Sequence, residues 1–311
     1  MLVWGGLVKF TKPALTLEQQ VEQLLSRGMK GDPAQMGRRL ASVNYYRLSG
    51  YWYTYRNVDG SRFIPGTDFE VVWGRYVFDR ELRLLAMDAL ERFEVAVRAR
   101  LAYEHAQAGG PFGYDTDPAA IFEGRADERA QFFKQLDDAV ERNGHEAFIK
   151  HFRGKYQEDH ARPPVWVAVE VLMFGDVVRL FRGSSHALQR RVADAFGVAA
   201  KVMESWLKTL NVIRNICAHH GRLWNRELGV KPKIPRDEAW RTPVVVQPDR
   251  VFSVLTILAH LLWKIAPGST WSLRVRDLVD GSPVAELGQM GFPADWHRCE
   301  VWRRAWEAGE G

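Results

Sequence analysis

The amino-acid sequence predicts an all-α fold, and three observations support this prediction. Apolar side chains recur at spacings of three and four residues through most of the chain, which is the pattern of a helix with one buried face. Glycine and proline interrupt the pattern between these stretches, as at Gly109-Gly110-Pro111. Strand-like runs are rare, and the best of them, Val244-Val245-Val246, is short. With 311 residues and 46% apolar content, the chain can bury a sizeable core.

Local signals place the helices of the first part of the chain. Thr16 offers a capping hydroxyl to the first helix, which ends before Gly31-Asp32-Pro33. A second helix is expected from about Ala34 to Val43. The longest helical pattern runs from Asp79 to Ala108. Its core stripe consists of Leu82, Leu85, Ala89, Phe93, Ala96 and Val97.

Further helices are predicted in the second part of the chain, over about residues 125–143, 145–156, 165–182, 188–196, 198–220 and 251–265. We expect one helical domain over residues 10–265. Residues 266–311 are expected to form a C-terminal aromatic helical tail packed on it, irregular between Trp271 and Trp306.

The helix predicted over about residues 198–220 carries the most informative pattern. Its apolar stripe consists of Met203, Trp206, Leu210, Ile213 and Cys217. At roughly 100° per residue, Arg214, Asn215 and His219 fall on the opposite arc of the helix. His220 falls at the edge of the stripe, so we expect it to be a structural histidine close to the core. The glycine that follows it is the expected C-cap.

Arginine and histidine without carboxylates or metal ligands suit the cleavage of RNA by its own 2′-hydroxyl. A histidine such as His219 can move the protons, typically for about 10²–10⁴-fold. The Arg214 guanidinium can hold the phosphate and offset its developing charge. Asn215 could orient the imidazole or the phosphate. The alternative is that these residues form a buried polar network or cap the helix end.

Four further residues are candidates for support of this site, His220 and three residues of the longest helix. Glu94 and Arg98 lie four residues apart on the longest helix, a spacing that usually gives a plain surface pair. The functional alternative is that Glu94, Arg98 and His105 line the same cleft as Arg214.

A basic turn follows the motif helix and contains Arg222, Arg226, Lys231 and Lys233. These side chains could hold an RNA backbone through salt-sensitive contacts. The alternative is an ordinary basic surface turn. Trp224, within the same turn, is either a stacking platform for a base or an anchor of the turn to the protein body.

An aromatic run with interleaved arginine contains a second group of candidate RNA-binding residues, Tyr45, Tyr46 and Arg47. Such a run can stack unpaired bases. The alternative is a core helix, in which Tyr51 and Trp52 pack inward.

The segment from Arg214 to Arg226, Arg-Asn-Ile-Cys-Ala-His-His-Gly-Arg-Leu-Trp-Asn-Arg, resembles the signature of the Abi family of bacterial abortive-infection proteins of the AbiD/AbiF type. This family is similar to the wider HEPN superfamily of α-helical ribonucleases. Other matching segments are Lys12-Pro13, 44–51, 78–83, 163–166, Phe174-Gly175, 205–207 and 290–293 with Trp296. The resemblance implies a HEPN-like helical bundle with additional N- and C-terminal helices, phage defence, and a metal-independent ribonuclease that uses Arg214 and His219.

Charge, cysteine content and hydropathy limit the partners, the cofactors and the cellular location expected for the protein. The net charge of +5 and the pI of about 9.2 permit an acidic partner such as RNA. Cys217 and Cys299 give neither a disulfide framework nor a metal-ligand spacing, so we expect no metal, no cofactor and a reducing cytoplasm. The segment Met1–Phe10 does not read as a signal peptide. The longest apolar stretch, Val251–Ala266, is too short to span a bilayer, so no membrane association is expected.

One Arg–His set per chain leaves a geometric problem, because general acid and general base usually act from opposite sides of the phosphate. A homodimer with a composite site would supply one histidine from each protomer, and the resemblance to HEPN proteins implies the same arrangement. In an active monomer, His105 or His220 would be the second group.

Three functions therefore compete. The first is a toxin-like endoribonuclease that leaves a 2′,3′-cyclic phosphate. The second is a non-catalytic RNA-binding regulatory protein that holds a structured small RNA. The third is a purely structural interaction protein. A regulatory small RNA or an antitoxin is a further expected partner.

Overall fold

A computed structural model describes residues 13–310 of the chain, and the regular structure within this range is helical. The fourteen α-helices of residues 13–310 are α1 (Leu17–Ser26), α2 (Pro33–Ser42), α3 (Tyr45–Trp52), α4 (Phe69–Gly109), α5 (Gly113–Thr116), α6 (Ala126–Arg142), α7 (Ala147–Tyr156), α8 (Val165–Val171), α9 (Phe174–Gly183), α10 (His186–Ala195), α11 (Ala200–Ala218), α12 (Val251–Ile265), α13 (Trp271–Asp280) and α14 (Glu300–Glu310). Residues 13–310 contain isolated β-bridges but no strand. The predicted all-α class is confirmed. The predictions for Met1–Phe10 and Lys12 concern residues outside the described range.

The described chain divides into two compact units, residues 13–78 and residues 79–310, and the division falls inside α4. The predicted partition into residues 10–265 and 266–311 is a different one, and it stays a prediction.

In the unit of residues 13–78, α1 begins at the predicted capping box. The Thr16 hydroxyl accepts a hydrogen bond from the Gln19 N–H at 3.3 Å, and the Gln19 side chain accepts one from the Thr16 N–H at 2.9 Å. In α3, Tyr51 and Trp52 are buried, as the core interpretation of this aromatic run predicts. The aromatic run is therefore at least in part a core element.

The long helix α4 begins at Phe69, ten residues before the predicted start at Asp79. The prediction took the start from the core stripe, whose first member is Leu82. Phe69 and Val72 are both fully buried and continue the apolar pattern further back. The predicted core stripe of α4 is buried except for Ala96, which is half-buried.

The single helix predicted over residues 165–182 is wrong. The chain leaves the helical conformation at Leu172 and Met173, whose ψ angles are 143° and 154°, and this break separates α8 from α9. The Arg98 guanidinium donates hydrogen bonds to the carbonyl oxygens of Val169 and, at 2.8 Å, of Leu172. A buried arginine therefore satisfies the carbonyls at the end of α8, and the helix can end there without glycine or proline.

The C-terminal stretch is more regular than predicted, because α13 and α14 occupy much of it. Helix α14 packs on α12, and the Trp302 indole N–H donates to the Thr256 hydroxyl at 3.0 Å. Trp271, Trp296 and Trp302 are buried. The aromatic side chains therefore form a core rather than an irregular tail. Within the described residues, no helix combines the length and the apolar character needed to cross a membrane.

Candidate functional site: the C-terminal end of helix α11

Helix α11 buries one face and exposes the residues predicted to act. The predicted apolar stripe is buried: Met203, Trp206, Leu210, Ile213 and Cys217. Arg214 exposes 39% of its side chain, and Asn215 and His219 are exposed. The structure thus presents a guanidinium, an amide and an imidazole from the rim of a packed helix. Asn215 and His219 are therefore not part of a buried network, whereas the alternative that this set caps the helix end stays open.

The helix ends one residue before His219, which is its C-cap. The His220 N–H donates to the Cys217 carbonyl at 3.0 Å, and the Gly221 N–H donates to the Ile216 carbonyl at 2.7 Å. This pair of hydrogen bonds is the Schellman motif, in which the residue after the C-cap is left-handed and is usually glycine. Here His220 takes that position, with φ of 56°.

The predictions for His220 and Gly221 are therefore wrong in detail. His220 is exposed and lies outside the helix, so it is not a histidine close to the core. Gly221 is one residue beyond the left-handed position that a capping glycine would occupy. Left-handed backbone is strained in a residue with a side chain, by roughly 1–2 kcal/mol. Two exposed imidazoles, His219 and His220, lie next to each other at this helix end as a consequence.

A buried ion pair holds the turn that follows. The Asp79 carboxylate accepts hydrogen bonds from the N–H groups of Leu223 at 3.1 Å and Trp224 at 2.6 Å, and it pairs with the Arg83 guanidinium. The Trp224 ring is fully buried, and its indole N–H donates to the Ala285 carbonyl at 2.5 Å. Trp224 is therefore an anchor of the turn and not an exposed stacking platform.

Sequence reasoning missed the role of Asp79, although a signal was present. Asp79 lies three residues before Leu82 and seven before Ala86, both fully buried, so it continues the apolar stripe of α4. A carboxylate on an apolar stripe must be paired when the helix packs. The sequence therefore indicated a buried partner, but not which group would supply it.

Glu94 connects α4 with the motif arginine. Its carboxylate pairs with the Arg98 guanidinium and lies 3.7 Å from Nε of Arg214. Arg98 is buried, and its remaining donors reach the carbonyls at the end of α8. Two guanidinium groups thus face one carboxylate. Of the predicted supporting residues, the structure brings Glu94 and Arg98 together with Arg214.

His105 is not part of this cluster. It lies on α4 three helical turns after Glu94, roughly 16 Å along the axis. The ring is buried, and its Nε2 lies 2.9 Å from the Ser184 hydroxyl, which donates to the Leu180 carbonyl. Burial and the nearby Arg191 guanidinium lower the pKa of His105 to about 4. It is a neutral core histidine and does not line the cleft of Arg214.

Of the four basic residues predicted to hold RNA, two stay beside the motif. Arg222 and Arg226 are half-buried in the turn, and Nε of Arg226 donates to the Arg222 carbonyl at 2.8 Å. Both side chains lie immediately after the helix end, as predicted.

The other two basic residues, Lys231 and Lys233, lie elsewhere. The chain turns back along α11, since the Thr209 hydroxyl donates to the carbonyl before Lys231 at 3.2 Å and the Lys233 N–H donates to the Ser205 hydroxyl at 2.7 Å. At ~100° per residue, Thr209 and Arg214 point about 140° apart around the helix. Lys231 and Lys233 are exposed on a different flank of α11 from Arg214.

The second predicted group of RNA-binding residues lies in the unit of residues 13–78, at the start of α3. Tyr46 is 87% exposed, and Arg47 is exposed as well. Tyr45 is half-buried and packs edge-to-face on Trp52, with ring centroids 5.0 Å apart. Tyr46 and Arg47 could therefore contact a ligand, whereas Tyr45 is partly committed to the core.

Within residues 13–310, both cysteines are free and buried. No group of three or more histidine, cysteine or acidic residues there could hold a metal ion. Burial raises the pKa of Cys217 to about 12 and also raises the pKa of Cys299. Both thiols are therefore protonated near neutral pH and are poor nucleophiles.

The fold and this site define an all-α protein that presents arginine, asparagine and histidine from the end of one packed helix. The chain belongs to the Abi-like protein family, whose family model matches residues 38–225, more than half of the chain. The match includes the motif helix and most of the turn held by Asp79. Family membership associates the chain with abortive infection, a form of phage defence. Comparisons with curated proteins and with solved structures found no match.

Proposed function

We propose that the protein is a bacterial anti-phage effector that cleaves RNA without a metal ion. In this proposal the RNA 2′-oxygen attacks the adjacent phosphorus, the 5′-oxygen leaves, and a 2′,3′-cyclic phosphate remains. The observation that carries the proposal is the joint exposure of Arg214 and His219 at the end of a packed helix. The resemblance to the HEPN superfamily supports the same chemistry.

The contacts of Arg214 suit a phosphate ligand. Glu94 approaches its Nε, and within residues 13–310 this is the only carboxylate within 4.0 Å of the guanidinium. The two Nη groups are thus left for a phosphate, which a guanidinium can bind through parallel hydrogen bonds. Glu94 and Arg98 act as positioning residues, because they fix the guanidinium without facing the reacting atoms.

His219 is the proposed proton-transfer group, and Asn215 lies one helical turn before it. The His219 imidazole is exposed at the end of the helix. Asn215 can donate a hydrogen bond to a phosphate oxygen or to the imidazole. Together with Arg214, these groups supply charge stabilisation and proton transfer, each of which lowers the barrier of a transesterification.

We further propose a homodimer, in which each protomer contributes one His219 to a composite site. Exposed apolar side chains that neighbour Glu94 and Leu172 in the sequence support a protein contact. Val95, next to Glu94, is 56% exposed, and Met173, next to Leu172, is 65% exposed. Burial of such side chains in a twofold interface would be favourable.

The test is incubation of the purified protein with end-labelled RNA in EDTA. The proposal predicts products with 2′,3′-cyclic phosphate ends, and it predicts that His219→Ala and Arg214→Ala reduce the rate about 10²–10⁴-fold. His151→Ala on α7 and Arg190→Ala on α10 are matched controls, since both side chains are exposed and distant in sequence from the motif. They should cleave like the wild type.

Each variant must first be shown by circular dichroism and sedimentation to be folded and in the wild-type oligomeric state. Tight RNA binding without cleavage by the wild type would instead support the non-catalytic RNA-binding function. If the wild type neither cleaves RNA nor binds it at low salt, the result would support the third function, that of a purely structural interaction protein. A stable monomer that cleaves RNA would contradict the composite site.

A further inference from the structure

A second surface feature lies at the opposite end of α11 from the motif. It is an open cleft of about 1280 Å³, and its walls are the start of α11, the tether of residues 231–235 and the segment around Val245. The aliphatic part of the lining consists of Val198, Val202, Pro232, Ile234, Pro235, Val245, Val246 and Pro248. The segment Pro232–Pro235, which carries Lys233, and the short strand-like run at Val245 and Val246 both line this cleft, and the motif site uses neither of them.

The walls of the cleft are held in place by their backbones. The Lys233 N–H donates to the Ser205 hydroxyl at 2.7 Å, and the Lys233 carbonyl accepts from the Trp206 indole N–H at 2.8 Å. On the other side, the Val246 N–H donates to the Trp240 carbonyl at 3.1 Å. The side chain of Lys233 is left exposed. The cleft is therefore a built feature of unit 79–310 rather than a gap between loose loops.

The charge of the cleft is positive. Four exposed cations line it, Lys201, Lys233, Arg236 and Arg241. None of the four lies within 4.0 Å of a carboxylate of residues 13–310. Two acidic residues, Asp194 and Asp237, also line the cleft, so the cations exceed the acids by two. An occupant must therefore carry negative charge as well as apolar surface.

The size and the chemistry of the walls favour a peptide over a nucleic acid or a small molecule. Small-molecule sites usually enclose about 300–1,000 Å³, and this cleft is larger. Unpaired bases need exposed aromatic faces for stacking, whereas the aromatic residue of this cleft, Trp240, is only 2% exposed. Aliphatic walls with cations at the rim fit apolar side chains that alternate with carboxylates.

The backbone of Val245 supports an extended occupant. Its side chain is 54% exposed, and within the described chain its N–H donates no hydrogen bond. An N–H group that has no partner within the described chain can donate a hydrogen bond to the backbone of a bound peptide.

We propose that this cleft binds an extended, acidic segment of a partner protein, with carboxylates against the four cations and alternate apolar side chains against the aliphatic walls. The proposal does not depend on nuclease activity. The protein would then have a protein-binding surface in addition to the motif site. At ~1.5 Å per residue, this surface lies roughly 27 Å along α11 from the motif.

The experiment is fluorescence anisotropy of the full chain with a labelled peptide of about ten residues in which Glu and Val alternate. The expected Kd is about 1–100 µM at low salt. Lys233→Glu combined with Arg236→Glu should weaken binding about tenfold or more, because both cations become repulsive. The matched control combines Lys150→Glu and Arg190→Glu, two exposed residues on α7 and α10, and should leave the affinity within about twofold.

Two further probes complete the test. A peptide with Lys in place of Glu should not bind. Raising the salt concentration from about 50 mM to about 500 mM should weaken the binding of the acidic peptide. The proposal is overturned if the acidic peptide does not bind, or if the Lys peptide binds equally well. It is also overturned if the cleft variant loses affinity for an oligouridine RNA of about ten nucleotides but not for the peptide, because the cleft would then be a nucleic-acid site.

Discussion

Two ion pairs on α4 have the same spacing and very different surroundings. Asp79 and Arg83 are buried, whereas Glu94 and Arg98 lie beside the partly exposed Arg214. In the first pair the carboxylate also accepts the backbone N–H groups of the motif turn. In the second pair the carboxylate faces the motif guanidinium. The same Asp/Glu–Arg spacing therefore fixes the backbone of the site in one place and orients a reactive side chain in the other.

This difference separates stability from activity. Removal of the carboxylate of the buried pair should unfold the turn and destabilise the whole unit, since an unpaired buried charge is costly. Disruption of the second pair should leave the fold largely intact and alter how Arg214 meets a phosphate. Four changes test this separation, and their expected effects decrease in the order given.

Asp79→Ala should lower the free energy of unfolding by about 3–5 kcal/mol, because it leaves the Arg83 guanidinium and two backbone N–H groups without their buried acceptor. Urea unfolding followed by circular dichroism measures the change. Asp88→Ala on the same helix removes a more exposed carboxylate that pairs with Arg92 and Arg274, and it should cost about 0–1 kcal/mol. Equal losses in the two variants would contradict a special role of Asp79.

The neutral His105 should make the fold sensitive to acid. Its pKa is lowered from 6.5 to about 4 by burial, so between these two values the unfolded chain binds a proton that the folded chain does not. The contribution of His105 to the free energy of unfolding is fully present above about pH 6.5 and is lost as the pH falls toward 4. At pH 4.5 the loss should be about 2 kcal/mol.

Urea unfolding at about pH 7 and pH 4.5 tests this expectation. His105→Gln lacks the titrating group, so its stability should fall less between these two pH values than that of the wild type. A wild type and a variant with the same pH dependence would show that His105 is not a buried neutral histidine.

Glu94→Gln should reduce kcat/KM for RNA cleavage about tenfold, which corresponds to about 1.4 kcal/mol. The neutral amide holds Arg214 less firmly, so the loss should appear in kcat rather than in KM. Glu91→Gln, an exposed residue one turn earlier on α4, is the matched control and should have no effect. A loss seen only in KM would assign Glu94 to RNA binding instead of to positioning.

His220→Gly should stabilise the fold by about 0.5–1 kcal/mol, because glycine adopts the left-handed backbone without strain but has a larger unfolded-state entropy. In a composite dimeric site, the rate of RNA cleavage should stay within about twofold. Thermal unfolding and single-turnover kinetics measure the two effects. A fall of about 10²-fold or more in a more stable protein would make His220 the second proton-transfer group.

The local periodicity of the sequence was enough to predict the all-α class and the orientation of α11. Spacings of three and four placed Met203 and Trp206 inside and Arg214 and His219 outside, and the structure agrees. The capping box at Thr16 was equally local. Each of these predictions depends on residues within a few positions of one another.

The missed features depend on distant contacts. The Asp79 carboxylate accepts a hydrogen bond from Trp224, which lies 145 residues later in the sequence. The Arg98 guanidinium binds the Leu172 carbonyl at the end of α8, 74 residues later. The tether carries Lys233 back along α11 to Ser205, away from the site that was predicted for it from its position in the sequence. No periodic pattern specifies such pairings, since they are fixed by the packing of whole helices.

The central claim is that an arginine and a histidine at the end of α11 promote attack by a 2′-hydroxyl, and one substrate tests it directly. The cleaved phosphodiester is first mapped in an RNA oligonucleotide with EDTA present, and the same oligonucleotide is then made with a single 2′-deoxynucleotide on the 5′ side of that bond. The wild type should cut the all-ribose RNA to a 2′,3′-cyclic phosphate and leave the substituted bond intact. Cleavage of the substituted bond at an equal rate would contradict the account.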